Sequence, residues 1–249
     1  MVLWEAGILL GVGCAAGVIN AVAGGGTILT FPVLIGLGLP GVVANATSTF
    51  ALVAGTVGSA WGYRSHFGAV RAWLGSFGAA SVLGGWLGAW LLTVTPADAF
   101  DVMIPFLLLS ATSIFALQNF SESWYAGKKQ QSVGRVWGLA AQLAVGIYGG
   151  YFGAGIGILM LAILGCLGFR DIHQMNCLKT YLAMAINLVA GFYFIIVGLV
   201  AWPEALVLTS GAMAGYFVGA HWSQKIPQKF VRLLITGISF FLTGFFFFR

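Results

Sequence analysis

Apolar residues run almost without interruption along this chain, so the informative positions are those where the runs stop. The first run, Leu3–Ala23, halts at Gly24-Gly25-Gly26 and resumes over Thr27–Leu39. Consecutive glycines make a poor helix interior, at roughly 1 kcal/mol each relative to alanine. They suit a break where backbone must come close to a ligand or another segment. The resumed piece, about 20 Å long as a helix, is too short for a hydrocarbon core of about 30 Å. Pro40-Gly41 ends it. Runs of spanning length follow over Val42–Tyr63, Ala72–Val94 and Val102–Phe120, separated by the basic stretch Arg64–Arg71 and the acidic stretch Thr95–Asp101. After Ser121–Val136, which holds Lys128, Lys129 and Arg135, the order recurs. Trp137–Phe152 is apolar, a second break lies at Gly153–Gly157, and Ile158–Phe169 is again short. Asn176–Val200, Ala205–Trp222 and Leu233–Phe248 complete the chain.

An offset of 130 positions superimposes the breaks, Gly25 on Gly155, and matches Ile28 with Ile158, Leu34 with Leu164 and Gly38 with Gly168. Leucine coincidences are cheap in such a composition; the repeated order of element lengths is less so. The chain therefore reads as an internal duplication, 1–124 and 125–249. Charge sets orientation, because loops rich in Lys and Arg stay in the cytoplasm. Placing 64–71, 121–136 and 223–232 inside leaves the pair before Pro40 beginning and ending outside. The pair ending at Arg170 then begins and ends inside. Each half has five elements, an odd number, which relates the halves by inversion. Continuous spans in place of the broken pairs would give four per half and a parallel repeat. The predicted fold is an all-α polytopic membrane protein of two inverted repeats, each opening with a short glycine-broken hairpin, a plan used by secondary carriers.

Composition agrees. Hydrophobic residues make up 60% and charged residues 7%, against about 25% charged in soluble domains. The net charge of +5 sits in short clusters between apolar runs, which speaks for topology rather than nucleic acid. Cys14, Cys166 and Cys177 lie in apolar runs without metal spacing, so metal, redox chemistry and cofactors are not expected. No Ser/His/Asp or Cys/His set suggests an enzyme. The first residues offer Glu5 and no basic segment, unlike a cleaved signal peptide.

Lys179 is the sharpest chemical signal. It stands in an apolar run about 13 Å along a helix beyond Arg170, where an ionisable group marks a substrate or ion path by default. Its compact ammonium suits a small oxyanion; the alternative is a side chain snorkelling to the headgroups. Asn176 and Asn187 share its helical face. The corresponding face of the first half carries Asn45, Ser48 and Thr49, at the start of a helix whose free N–H groups attract anions. Their bland role is to satisfy their own backbone. Asn20, four positions before the glycines, can present its amide to the same cavity. Gly24, Gly25, Gly26, Thr27, Gly153 and Gly155 would add backbone donors from half-helix ends. His173 is a weak candidate for proton coupling. Gly84-xxx-Gly88 and Gly211-xxx-Gly215-xxx-Gly219 read as packing seams, with a homodimer among their uses. Trp4, Trp61, Trp137, Trp202 and Trp222 sit near run ends as interfacial anchors, and Phe245–Phe248 reads as lipid-facing.

The run Gly17-Val-Ile-Asn20-Ala-Val-Ala-Gly24-Gly25-Gly26-Thr-Ile-Leu-Thr-Phe-Pro32, with Gly38-Leu-Pro40 and Ala44-Asn45-Ala46-Thr47-Ser48-Thr49, resembles the sulfite exporter TauE/SafE family. Gly149-Gly150-Tyr-Phe-Gly153-Ala-Gly155-Ile-Gly157, Asn176-Cys-Leu-Lys179 and Asn187 are similar to its second repeat. The resemblance covers essentially the whole chain. It implies a multi-pass inner-membrane transporter of sulfite, sulfonates or related small organosulfur anions. A secondary carrier working by alternating access is the leading expectation. An anion channel and a non-transporting scaffold or partner subunit are the rivals.

Overall fold

The computed structural model describes residues 2–22, 25–125, 134–222 and, between 237 and 247, all but 239 and 242. Gly24, residues 126–133 of the second basic stretch and all of 223–232 lie outside them. Helices account for the first half in the order α1 (Leu3–Val22), α2 (Thr27–Gly36), α3 (Gly41–Gly62), α4 (Phe67–Val94) and α5 (Ala97–Tyr125). The second half follows with α6 (Arg135–Tyr151), α7 (Ile156–Cys166), α8 (Ile172–Val197) and α9 (Trp202–Trp222). The described positions between 237 and 247 are helical too. Five of these helices are long and apolar enough to cross a bilayer, while α2 and α7 are the short apolar ones. The chain is therefore a polytopic all-α membrane protein.

Local chemistry explains the boundaries. The two glycine breaks contain Gly25, Gly153 and Gly155 at φ 135°, 80° and 79°, a region in which a Cβ is strained. Each short helix closes identically. Leu37, Gly38 and Leu39 donate to the carbonyls of Val33, Ile35 and Leu34, and Leu167, Gly168 and Phe169 donate to those of Ile163, Gly165 and Leu164. Gly38 and Gly168 stand at φ 93° and 91°, the left-handed closure that satisfies a helix's last carbonyls. Every position of these two closures is matched at the offset of 130. The basic stretch Arg64–Arg71 is less of a loop than expected: a short 3-10 turn over Arg64–His66 leads directly into α4. Helical hydrogen bonding is the cheapest way to satisfy backbone near a membrane. At the other end of α4, Asp98 lies in the first turn of α5, where the helix dipole favours negative charge.

Packing crosses between the halves. α1 lies along α9 in the same sense: Leu10 meets Gly211, Cys14 meets Gly215 and Val18 meets Gly219. A Cβ at Gly17, Gly211 or Gly215 would collide with the neighbouring backbone. α4 lies along α6 in the same way, through Gly84, Gly88, Gly146 and Gly150, with Gln142 donating to buried Ser81 at 2.9 Å. The small-residue seams singled out in the sequence thus join helices of one chain, and these glycines are occupied without a second copy. α3 and α8 cross in opposite senses, since Thr47 meets Ala201, Phe50 and Val53 meet Gly191, and Tyr63 meets Cys177. α3 runs with α9, by Phe50 on Trp202 and Gly55 on Tyr216. α4 runs with α8, by Phe67 on Tyr181 and Thr93 on Tyr193.

These senses sort the charges. Arg64, Arg71, Arg135 and Arg170 gather at one end of the bundle; Glu5, Asp98, Asp101 and Glu204 gather at the other. Among the described side chains Asp171 is the exception, capping α8 by accepting from the His173 N–H at 2.8 Å. Trp4, Trp61, Trp137 and Trp202 are exposed at helix ends. Phe245 and Phe247 are exposed while Phe246 packs on the core.

Candidate functional site

Where α3 crosses α8, the facing stripes of both helices are polar and leave a cavity of about 150 Å³. α3 contributes Thr49, Leu52, Thr56, Ser59 and Tyr63, spaced by three or four residues so that all share one face. α8 contributes Asn176, Lys179, Thr180, Ala183 and Asn187. Both glycine breaks border the same space, through Asn20, Ala21, Gly25 and Thr27 of the first and Gly153, Ile156 and Gly157 of the second. Tyr216 arrives from α9, its ring packed against Gly55, where any Cβ would strike it.

Lys179 is half-buried, eight residues into α8, and donates to the Asn176 side-chain oxygen at 3.0 Å. Its stem lies against Gly157, whose missing Cβ would sit 3.4 Å from the lysine Cδ. The ammonium is thereby held beside the first turn of α7, where N–H groups have no partner within the helix. Among the described residues lining the cavity, Lys179 is the one that carries a charge. At the Arg-bearing end, burial first and the neighbouring Cys177 second push the Tyr63 phenol above its ordinary range. It therefore remains a neutral donor. An ammonium, carboxamides, hydroxyls and a helix N-terminus, with no carboxylate among the described lining residues, make an environment for a small anion.

The two breaks are held open differently. In the first, the Asn20 Oδ1 accepts from the N–H groups of Gly25 and Gly26 at 2.6 and 2.8 Å. Two donors that the sequence offered to a ligand are therefore spent on Asn20, and the remaining amide NH₂ adjoins Tyr216. In the second break Tyr148 donates its hydroxyl to the Ala154 carbonyl at 2.8 Å. Asn45 donates across from α3 to the Tyr151 carbonyl, also at 2.8 Å.

Of the residues anticipated for the site, the structure brings Asn20, Gly25, Thr27, Thr49, Gly153, Asn176, Lys179 and Asn187 together around one cavity. Asn45 is fully buried on Tyr151, with its Oδ1 unpartnered among the described residues. Ser48 pairs with the Thr30 hydroxyl inside the core. Gly26 packs against Ala16, and Gly155 serves as the N-cap of α7. His173 is exposed and stacks on His66 at 5.7 Å, away from the lining. Thr56, Ser59, Tyr63, Thr180 and Tyr216 were not anticipated. The recurring polar positions 49, 56, 59 and 63 within an apolar run were a readable signal for the first three.

Beyond Thr27 and Gly153, buried rings fill the way to the α4–α5 turn. Phe31 of α2 meets Phe152 at 5.3 Å and Phe100 at 6.3 Å, and Phe100 meets Tyr151 at 5.8 Å. The cavity thus extends from mid-bundle towards the Arg-bearing end, with an apolar plug on its other side.

A family model described as "Sulfite exporter TauE/SafE" matches residues 9–246. A "Probable membrane transporter protein" of Haemophilus influenzae is 28% identical over 246 residues, covering 95% of this chain and 92% of that protein. The "Probable membrane transporter protein ORF9" of Sinorhizobium sp is 27% identical, covering 90% of this chain and 85% of its own length. The "Probable membrane transporter protein YfcA" of Escherichia coli K12 is 27% identical, covering 94% and 86%. No solved structure matches the chain. With the family model spanning almost every residue, the polar cavity and both glycine breaks included, this chain belongs to the sulfite exporter TauE/SafE family of membrane transporters.

Proposed function

We propose that this protein is a secondary transporter that carries a small sulfur-containing anion, such as sulfite or a sulfonate, by alternating access. The observation that carries the reading is the cavity. It gathers Lys179, the amides of Asn20, Asn176 and Asn187, and the ends of two broken helices inside an apolar bundle. The family description supplies the sulfur chemistry. An inverted relation between the halves is supported by their packing, since α3 and its counterpart α8 run in opposite senses. The hairpin α1–α2 starts near Glu5 and ends near Asp101, whereas α6–α7 starts near Ala72 and ends against Trp73. Under the positive-inside rule the Arg-bearing end faces the cytoplasm of the inner membrane, and the arrangement is then an inward-facing one. The aromatic plug on the far side favours a carrier over a channel, which needs a continuous polar path. The driving force in this reading is the proton gradient or the membrane potential.

Counterflow in proteoliposomes tests the proposal. Preloading with unlabelled sulfite or a short sulfonate should accelerate uptake of the labelled anion, with saturation. A rate that ignores the preloaded anion would replace the carrier by a channel. No flux, together with no stabilisation of the purified protein by any such anion, would leave a scaffold.

A further inference from the structure

Resting on the cavity as the anion site, we propose that it selects by charge: it accepts a singly charged oxyanion and rejects a doubly charged one of equal size, and Thr49 is the position that sets this limit. Thr49 and Lys179 stand 130 residues apart, on the facing stripes of α3 and α8. The duplicated scaffold thus offers two equivalent positions on one cavity and fills one of them with an ammonium. Doubling the charge of an anion doubles its attraction to a single cation. The cost of stripping its water grows as the square of the charge, roughly fourfold.

Several neutral donors are already engaged. The hydroxyls of Thr56 and Thr180 donate to the carbonyls of Val53 and Asn176. The N–H groups of Gly25 and Gly26 are bound by Asn20. The donors that remain, the carboxamides of Asn176 and Asn187 and the Tyr63 hydroxyl among them, carry no net charge, so with one ammonium among the described lining residues a second negative charge goes uncompensated.

Methanesulfonate and methylphosphonate provide the test, since they share size and tetrahedral shape. The sulfonate stays singly charged, whereas the phosphonate passes from one charge to two between mildly acid and mildly alkaline pH. Stabilisation of the full-length protein in detergent, titrated with each, reads the affinity. The two should bind alike in mild acid. In mild alkali the phosphonate should weaken tenfold or more while methanesulfonate, the control for titration of the protein itself, holds. Thr49→Lys should reverse the alkaline preference, and Thr49→Gln, similar in bulk but uncharged, should not. A wild-type protein that binds the doubly charged phosphonate as tightly as methanesulfonate overturns charge selection, whatever becomes of the Thr49 variants, and leaves the anion site standing. If neither probe binds in mild acid, the anion site itself falls and the inference with it.

Discussion

The two glycine breaks share a backbone and differ in almost everything attached to it. Gly25 and Gly155 both take positive φ, and both short helices end in the same hydrogen-bonded closure at Gly38 and Gly168. The first break is tied by one amide from its own α1, Asn20. At the offset of 130 the second half has Gly150, which has no side chain to offer and packs against Gly85. That break is tied instead by Tyr148 and by Asn45 from the other half. The cation is equally one-sided, with Lys179 on α8 facing Thr49 on α3. What the two breaks share is what only backbone geometry can supply. Their side chains differ, so that among the described residues one face of the cavity carries charge and the other neutral polarity.

The sharpest way to break this comparison is to remove the charge. Lys179→Met keeps the stem that packs on Gly157 and deletes the ammonium. Because a charge-assisted bond in a site of low dielectric is worth about 2 kcal/mol or more, transport in proteoliposomes should fall at least tenfold. Thr49→Val, on the opposite face, should reduce it far less. Equal losses from the two, in protein that remains monodisperse, would show that the cavity does not read charge from one side. Thr49→Val losing more than Lys179→Met would invert the assignment.

Asn20 comes next, because one atom holds two donors. Asn20→Ala leaves the Gly25 and Gly26 N–H groups without their acceptor, at about 1–3 kcal/mol for an orphaned buried donor. The thermal midpoint should fall by several degrees. Asn20→Asp retains the acceptor and adds a negative charge to the cavity wall. It should restore most of the midpoint while abolishing anion binding. A midpoint unchanged in Asn20→Ala would mean that the break needs no tie, and the contrast with the second half would lose its meaning.

How much of this was legible beforehand follows from the range of the interactions. The breaks, the short helices after them and the offset of 130 were readable because glycine and proline act on their own stretch of chain. Lys179, Asn176 and Asn187 were readable because a polar stripe on an apolar helix has a local period. Tyr216 was not: it reaches the cavity because Gly55 makes room for its ring on a helix more than 150 residues earlier, and no local pattern records such a clearance. Asn20, Asn45 and Ser48 were expected around the anion, but a sequence does not say whether an amide or hydroxyl answers a ligand or a neighbouring group. The glycine seams gave the same ambiguity between a fold within one chain and a contact between two. They turned inward because α9 returns along α1 in register with it.

The smallest effects belong to the second break, where two ties share the work. Tyr148→Phe removes one donor to Ala154 and should cost about 1 kcal/mol. Asn45→Ala should cost still less. It deletes the bond to Tyr151, yet also deletes an Oδ1 that is buried without a partner among the described residues, and losing an unsatisfied acceptor is a gain. With the two terms opposed, the midpoint should move by no more than a degree or two, well short of Asn20→Ala. Thermal melts of the three variants in the same detergent make the comparison directly. If Asn45→Ala proves as damaging as Asn20→Ala, the bond between halves carries more than its local share. The second break would then depend on the first half as strongly as the first break depends on its own amide.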